Sequence, residues 1–151
     1  LLIRIHQPDL HGAVRLVGTV PPTELNVHYQ AAEIYVQSSI MECLPLALLT
    51  ALSHGLPIVS TDADGCREAI EHDNTGLLVP QRQTVLMAEA ISRLLNDRVQ
   101  ARAFGQAARR RFEERFSLEA TVPVLFETLF GSQLAPVAAK TVTDMAAPGP
   151  S

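Results

Sequence analysis

The stretch E-I-Y-V-Q-S-S-I-M-E-C-L-P-L-A-L-L-T-A-L-S-H-G-L-P-I-V-S-T, Glu33 to Thr61, reads as strand, helix, strand. E-I-Y-V-Q (Glu33 to Gln37) and P-I-V-S-T (Pro57 to Thr61) are short runs of β-branched and aromatic residues bounded by polar or glycine-containing segments. Between them Pro45 to His54 is apolar nearly all round. Pro45 suits a first helical turn, and Gly55 suits the exit. A helix that apolar is covered on several sides. Two strands joined through such a helix form a βαβ unit with parallel strands.

The alternation extends both ways. Upstream, V-R-L-V-G (Val14 to Gly18) reads as another strand. P-P-T-E-L-N-V-H-Y-Q-A-A follows as a helix with Thr23 as N-cap and Leu25, Tyr29 and Ala32 at helical spacing. Downstream, D-A-D-G-C (Asp62 to Cys66) is a loop and C-R-E-A-I-E-H a short helix ended by the turn D-N-T-G. L-L-V-P (Leu77 to Pro80) is a further strand. Helices are expected over Thr84 to Leu95 and Val99 to Arg115, and from an N-cap at Ser117 to Phe130. Pro123 then belongs in the first two turns of the last helix or kinks it. The fold class is therefore α/β, a Rossmann-like parallel sheet with helices on both faces. Ligands of such sheets bind at the carboxyl ends of the strands, which puts Gln37 to Leu44 and Ser60 to Cys66 on one rim. Residues 1–130 read as one domain, and the Ala-, Pro- and Thr-rich tail from 131 to 151 as disordered.

Bulk properties narrow the function. The 151 residues are 47% hydrophobic and 19% charged, which suits one globular domain. A formal charge of −4 excludes a general nucleic-acid binder, which needs surplus cations to displace phosphate counterions. The one basic cluster, Ala107 to Phe112, reads as a solvated helix face offset by Glu113 and Glu114. No run of eighteen apolar residues is present. Peripheral contact of a longer parent with a membrane stays open. Cys43 and Cys66 show no zinc-type spacing and read as free thiols, for which a reducing cytoplasm is the default. The chain opens on L-L-I-R-I without Met, as though it began partway through a domain, with Leu1 to His11 the end of a helix.

Chemistry concentrates at Glu42 to Leu46. A strand ends, a polar loop follows, and a buried helix starts near Pro45. First-turn amides lack intrahelical partners and the helix dipole adds positive charge, so a phosphate is stabilised there without Lys or Arg. The plain alternative is that Pro45 only starts a core helix. His54 beside Gly55 reads as a helix-terminal cap, and Asp62 and Asp64 as caps of the helix that follows them.

The ordered set G-T-V-P-P-T-E-L, Y-Q-A-A-E-I-Y-V-Q-S-S-I-M-E-C-L-P-L-A-L-L-T-A-L-S-H-G, P-I-V-S-T-D-A-D-G-C-R-E-A-I and N-T-G-L-L-V-P resembles the carboxyl-terminal, donor-binding domain of retaining GT-B-fold glycosyltransferases of the glycogen-synthase-like and sucrose-synthase-like group (glycosyl transferases group 1). The resemblance runs from about Val14 to Phe130. It implies transfer of a sugar from a nucleotide diphosphate sugar to an acceptor with retention, and no metal or other cofactor. It places Glu42 by the donor sugar, the amides around Leu44, Pro45, Leu46 and Ala47 at the diphosphate, and Gly18 and Gly65 near the donor. The second glutamate of the family's motif, which grips the ribose, corresponds to Thr50. A carboxylate accepts from both ribose hydroxyls, whereas a threonine hydroxyl offers one partner, and the exchange costs about 1–2 kcal/mol of nucleotide affinity. Alternatively, Thr50 bonds back to a helix carbonyl and touches no ligand. The family's acceptor domain, and the Arg and Lys that help neutralise the diphosphate, have no counterpart in this sequence, so activity is expected of a longer parent. Two other readings remain open: a non-catalytic binding or scaffolding relative, supported by Thr50, and a nucleotide-sugar epimerase.

Overall fold

A computed structural model describes residues 12–131. Three strands, β1 (Tyr35–Gln37), β2 (Ile58–Thr61) and β3 (Gly76–Val79), form a parallel sheet in the order β1-β2-β3. Tyr35 is in register with Ile58, and Ile58 with Gly76. The helices are α1 (Pro22–Ala31), α2 (Leu46–Ser53), α3 (Asp64–Ala69), α4 (Thr84–Asn96), α5 (Arg98–Arg115) and α6 (Leu118–Phe130).

Strand periodicity divides the interior. Successive side chains of a strand point to opposite faces. Ile58 accordingly packs with Leu48, Leu52, Cys66 and Ile70 on one face, where α2 and α3 lie. Its neighbour Val59 packs with Leu77, Val79 and Leu94 on the other, under α4. Helix α5 serves both: Ala101 and Phe104 join the second cluster and Ala108 the first. β2, buried on both faces, is an uninterrupted apolar and small-polar run, as a central parallel strand should be. The α/β class with helices on both faces is what the sequence implies.

Several local expectations change. Val14 to Gly18 is not a strand; it has no ladder partners among the described residues and is exposed along its length. Gly18 has φ +70°, a conformation suited to glycine, with open space around it. α1 begins after Pro21 rather than at a Thr23 cap, with Pro22 filling a first-turn position that needs no amide hydrogen. None of its residues is buried; Tyr29 and Ala32 anchor it to the core. α3 begins at Asp64, inside the segment expected to be loop. Pro45 is the N-cap of α2 rather than its first-turn residue. At the far end Ser117 does cap its helix, its hydroxyl accepting from the Ala120 amide at 3.1 Å, and Pro123 falls in the second turn. The expectations for Leu1 to His11 and for the tail beyond Gly131 lie outside the described residues.

Candidate functional site

The rim is built by parallel strands ending side by side. β1 delivers the chain into Ser38 to Leu44, and β2 delivers it into Asp62 and α3. Three neighbours then hold the first loop by its main-chain carbonyls. The Thr61 hydroxyl donates to Ser39 O. Gln81 Nε2 donates to Ile40 O at 2.8 Å. The Gly65 amide donates to Glu42 O at 3.1 Å. Gly65 must be glycine for steric reasons, because a Cβ there would sit 1.4 Å from the Cys43 carbonyl oxygen. The absence of a side chain lets the Cys43 backbone approach it closely.

Glu42 is half-buried, and its Oε1 accepts from the Ser39 hydroxyl at 2.7 Å. The next residues enter α2. The Pro45 carbonyl takes the amides of Leu48 and Leu49 at 3.0 and 3.1 Å. Among the described residues, the amides of Leu44, Leu46 and Ala47 have no hydrogen-bond partner, whereas Pro45 contributes none. No side chain caps α2. Glu42 and the free amides of the helix start thus share one loop, with the carboxylate restrained and the N–H groups open to an anion.

Thr50 is elsewhere engaged. Its hydroxyl donates to Leu46 O at 2.8 Å, within its own helix. The back-bonded alternative is the arrangement found. His54 also serves the helix: Nδ1 lies 2.8 Å from Thr50 O, and the ring stacks on Tyr29 at 5.2 Å. Tyr29 in turn donates to Ala47 O at 3.2 Å, tying α1 to the first turn of α2.

Two charge assignments are corrected. Asp62 and Asp64 do not cap α3, whose N-cap Ala63 receives no side-chain bond. Both face Arg67 instead, Asp62 through both oxygens and Asp64 at 3.4 Å. Salt-bridge geometry wins because Arg67, one turn into the helix, brings its guanidinium back over the loop. The Ala107 to Phe112 cluster is not uniformly a solvated face. Arg111, with its side chain 11% exposed, donates to Glu68 O at 2.8 Å and Ala69 O at 2.7 Å and pairs with Glu71. It closes the carboxyl end of α3, where unpaired carbonyls favour a cation. A contact spanning 42 positions carries no local signal in the sequence. Cys43 is exposed and Cys66 buried, both free. Among the described residues no three His, Cys, Asp or Glu side chains cluster as metal ligands, and no helix is long and apolar enough to cross a membrane.

A parallel sheet covered on both faces, with a polar loop and an uncapped helix start on the carboxyl-end rim, defines a Rossmann-like α/β domain. The sequence profile of the family described as glycosyl transferases group 1 matches residues 3–111, and the chain belongs to that family. The amylovoran biosynthesis glycosyltransferase AmsK of Erwinia amylovora is 32% identical over 127 residues, covering 80% of this chain and 31% of AmsK. The sucrose-phosphate synthase of Thermosynechococcus elongatus superposes with a TM-score of 0.77 at 30% identity, over 85% of this chain and 33% of the synthase. HepE of Anabaena, solved with UDP-glucose, superposes with a TM-score of 0.78 at 21% identity, over 85% of this chain and 35% of its own. The fold is that of the carboxyl-terminal domain of GT-B glycosyltransferases. The chain spans about a third of the length of these relatives.

Proposed function

We propose that this chain is the donor-binding part of a longer glycosyltransferase that moves a sugar from a nucleotide diphosphate sugar to an acceptor with retention at the anomeric carbon. The observation that carries the reading is the pairing, in one pinned loop, of the Glu42 carboxylate with the unpartnered amides of Leu44, Leu46 and Ala47. Glu42 takes donor-sugar hydroxyls and fixes their orientation. The amides meet the diphosphate as it becomes the leaving group, and they are oriented before charge develops. Family membership and the binding of UDP-glucose by HepE support a nucleotide sugar as donor. The acceptor site belongs to an amino-terminal domain of the parent, and the Arg and Lys that complete diphosphate neutralisation to the early part of its carboxyl-terminal domain. A cytoplasmic site of action, suggested by two free thiols, is part of the same proposal.

Calorimetric titration of the full-length protein with UDP-, GDP- and ADP-sugars tests this. One of the three should bind, and Glu42→Ala should weaken it. Absence of heat with all three, for the unaltered protein and the variant alike, would falsify the reading.

One observation favours a second reading. With its hydroxyl bonded to Leu46 O, Thr50 is not poised as a ribose clamp, which suits a relative that keeps the fold for binding or scaffolding. Thr50→Glu separates the two. In a working donor site a carboxylate on this turn tightens the nucleotide about five- to thirty-fold, whereas a scaffolding module gains nothing.

A further inference from the structure

The rim contains a row of polar contacts that donor binding by Glu42 leaves unexplained. The Tyr35 hydroxyl donates to Gln37 Oε1 at 2.9 Å. Gln37 Nε2 donates to Ser39 Oγ at 3.3 Å, and Ser39 Oγ donates to Glu42 Oε1 at 2.7 Å. Alternate residues of a strand share a face, so Tyr35 and Gln37 lie side by side on β1, and Ser39 in the loop just beyond it carries the row out to the carboxylate. Gln37 is only 8% exposed, the one buried carboxamide among the described residues. Buried amides without partners are costly, yet β1 could have carried an apolar residue here at no such risk.

The row has a fixed direction. A carboxamide oxygen only accepts and its nitrogen only donates. If the amide were reversed, its oxygen would draw the Ser39 proton inward. Ser39 Oγ and Glu42 Oε1 would then face each other as two acceptors 2.7 Å apart. At the inner end, burial and the nearby Tyr29, Cys66 and Glu42 push the Tyr35 phenol up to about 12, so it remains a neutral donor throughout the physiological range. The Ser39–Glu42 end thus selects the orientation of Gln37, and the Tyr35 hydroxyl, which can donate or accept, donates to its Oε1. The loop cannot slide out of it, because Ser39 O is held by Thr61 and Glu42 O by Gly65.

We infer that Gln37 is a positioning residue for the donor sugar: its amide, donating through Nε2 to Ser39 Oγ, makes Ser39 give its proton to Glu42 Oε1 and leaves Glu42 Oε2 free for a sugar hydroxyl. Oε2 has no hydrogen-bond partner among the described residues. This inference rests on the donor-site reading of Glu42, and it adds a device that fixes which carboxylate oxygen faces the sugar. Gln37 touches no substrate itself. Its effect passes through Ser39, so it should change recognition of the sugar and leave recognition of the diphosphate alone.

That separation supplies the test. Full-length protein is titrated with the nucleotide sugar it prefers and, separately, with the corresponding nucleoside diphosphate. Gln37→Glu keeps the shape but puts an acceptor where Nε2 donated, pulling the Ser39 proton inward. It should weaken the nucleotide sugar about tenfold while the diphosphate changes less than about twofold. Ser39→Ala should do the same, and Tyr35→Phe, which removes only the innermost hydrogen bond of the row, less. Both of these only delete atoms, so they carry the test if Gln37→Glu fails to fold. Unchanged binding of the nucleotide sugar in Gln37→Glu and Ser39→Ala would overturn the inference. So would equal losses for sugar nucleotide and diphosphate, the mark of a merely structural role. If the unaltered protein binds neither ligand, the donor reading falls and takes this inference with it. If Glu42→Ala loses the sugar selectively and the Gln37 and Ser39 variants do not, only the inference falls.

Discussion

V-R-L-V-G at Val14 to Gly18 and I-V-S-T at Ile58 to Thr61 are written in nearly the same vocabulary, yet one has no ladder partners among the described residues and the other is the central strand of the sheet. The difference lies in their surroundings. Ile58 and Val59 are fully buried between helices, with ladder partners on both sides, whereas Val14, Leu16 and Val17 remain 42–50% exposed with none. Strand propensity measures fit to a pleated, half-buried surface rather than a property of the residues alone. A run of β-formers becomes a strand when a neighbour supplies the other half of the ladder.

The comparison can be broken most severely from the packed side. Leu52 is fully buried between α2 and the sheet, so Leu52→Ala should cost about 2–5 kcal/mol, read as a lower midpoint in urea unfolding at unchanged slope. Gly65→Ala forces a methyl into the Cys43 carbonyl. It should cost about 1–3 kcal/mol or more as the two rim loops move apart, and nucleotide-sugar affinity should fall with it. Arg111→Gln strips the carbonyls of Glu68 and Ala69 of their donor, for about 1–3 kcal/mol in the same assay. Its neighbour Arg110→Gln should fall within about 0.5 kcal/mol.

A pH scan sharpens the contrast without mutation. The Tyr35 phenol is raised in the fold to about 12, chiefly by burial. Above the ordinary tyrosine value the unfolded chain releases this proton first, so it binds fewer protons than the native state and stability falls as pH rises. That part of the stability is complete below about pH 10 and is lost as pH rises through the folded value near 12. The decline contributed by this residue should vanish in Tyr35→Phe. The smallest effect belongs to the bare segment: Val17→Ala should shift unfolding by less than about 0.5 kcal/mol. A loss above about 1 kcal/mol would show that Val14 to Gly18 does pack against a partner.

What the sequence disclosed follows the same division. Strands β1 to β3, the apolar helix between the first two, the rim at their carboxyl ends and the Ser117 cap are legible because each rests on local chemistry: periodicity, capping residues and turn residues. Arg111 was not legible, since its partners lie some forty positions away. Nor were the ion pairs of Asp62 and Asp64, because an aspartate before a helix reads as a cap unless the reach of Arg67 is known. Thr50 lay between these cases. Its type raised both a ligand role and a bond to its own helix, and the rotamer shows the bond. Of the candidate site, Glu42 and the helix start could be named from sequence, whereas the Tyr35–Gln37–Ser39 row depends on side-chain directions that spacing merely permits.

The three pinned carbonyls of the rim loop have an electrical consequence. A trans peptide unit is planar, and its N–H points opposite to its C=O. Turning the oxygens of Ser39, Ile40 and Glu42 toward Thr61, Gln81 and Gly65 therefore turns the N–H groups of Ile40, Met41 and Cys43 the other way. The hydrogen ends of these three peptide units bring partial positive charge to the loop that carries the Glu42 carboxylate, with no lysine or arginine in its composition. Such a field comes from the backbone's path, and that path depends on the Thr61 hydroxyl and the Gln81 carboxamide, which hold two of the three carbonyls.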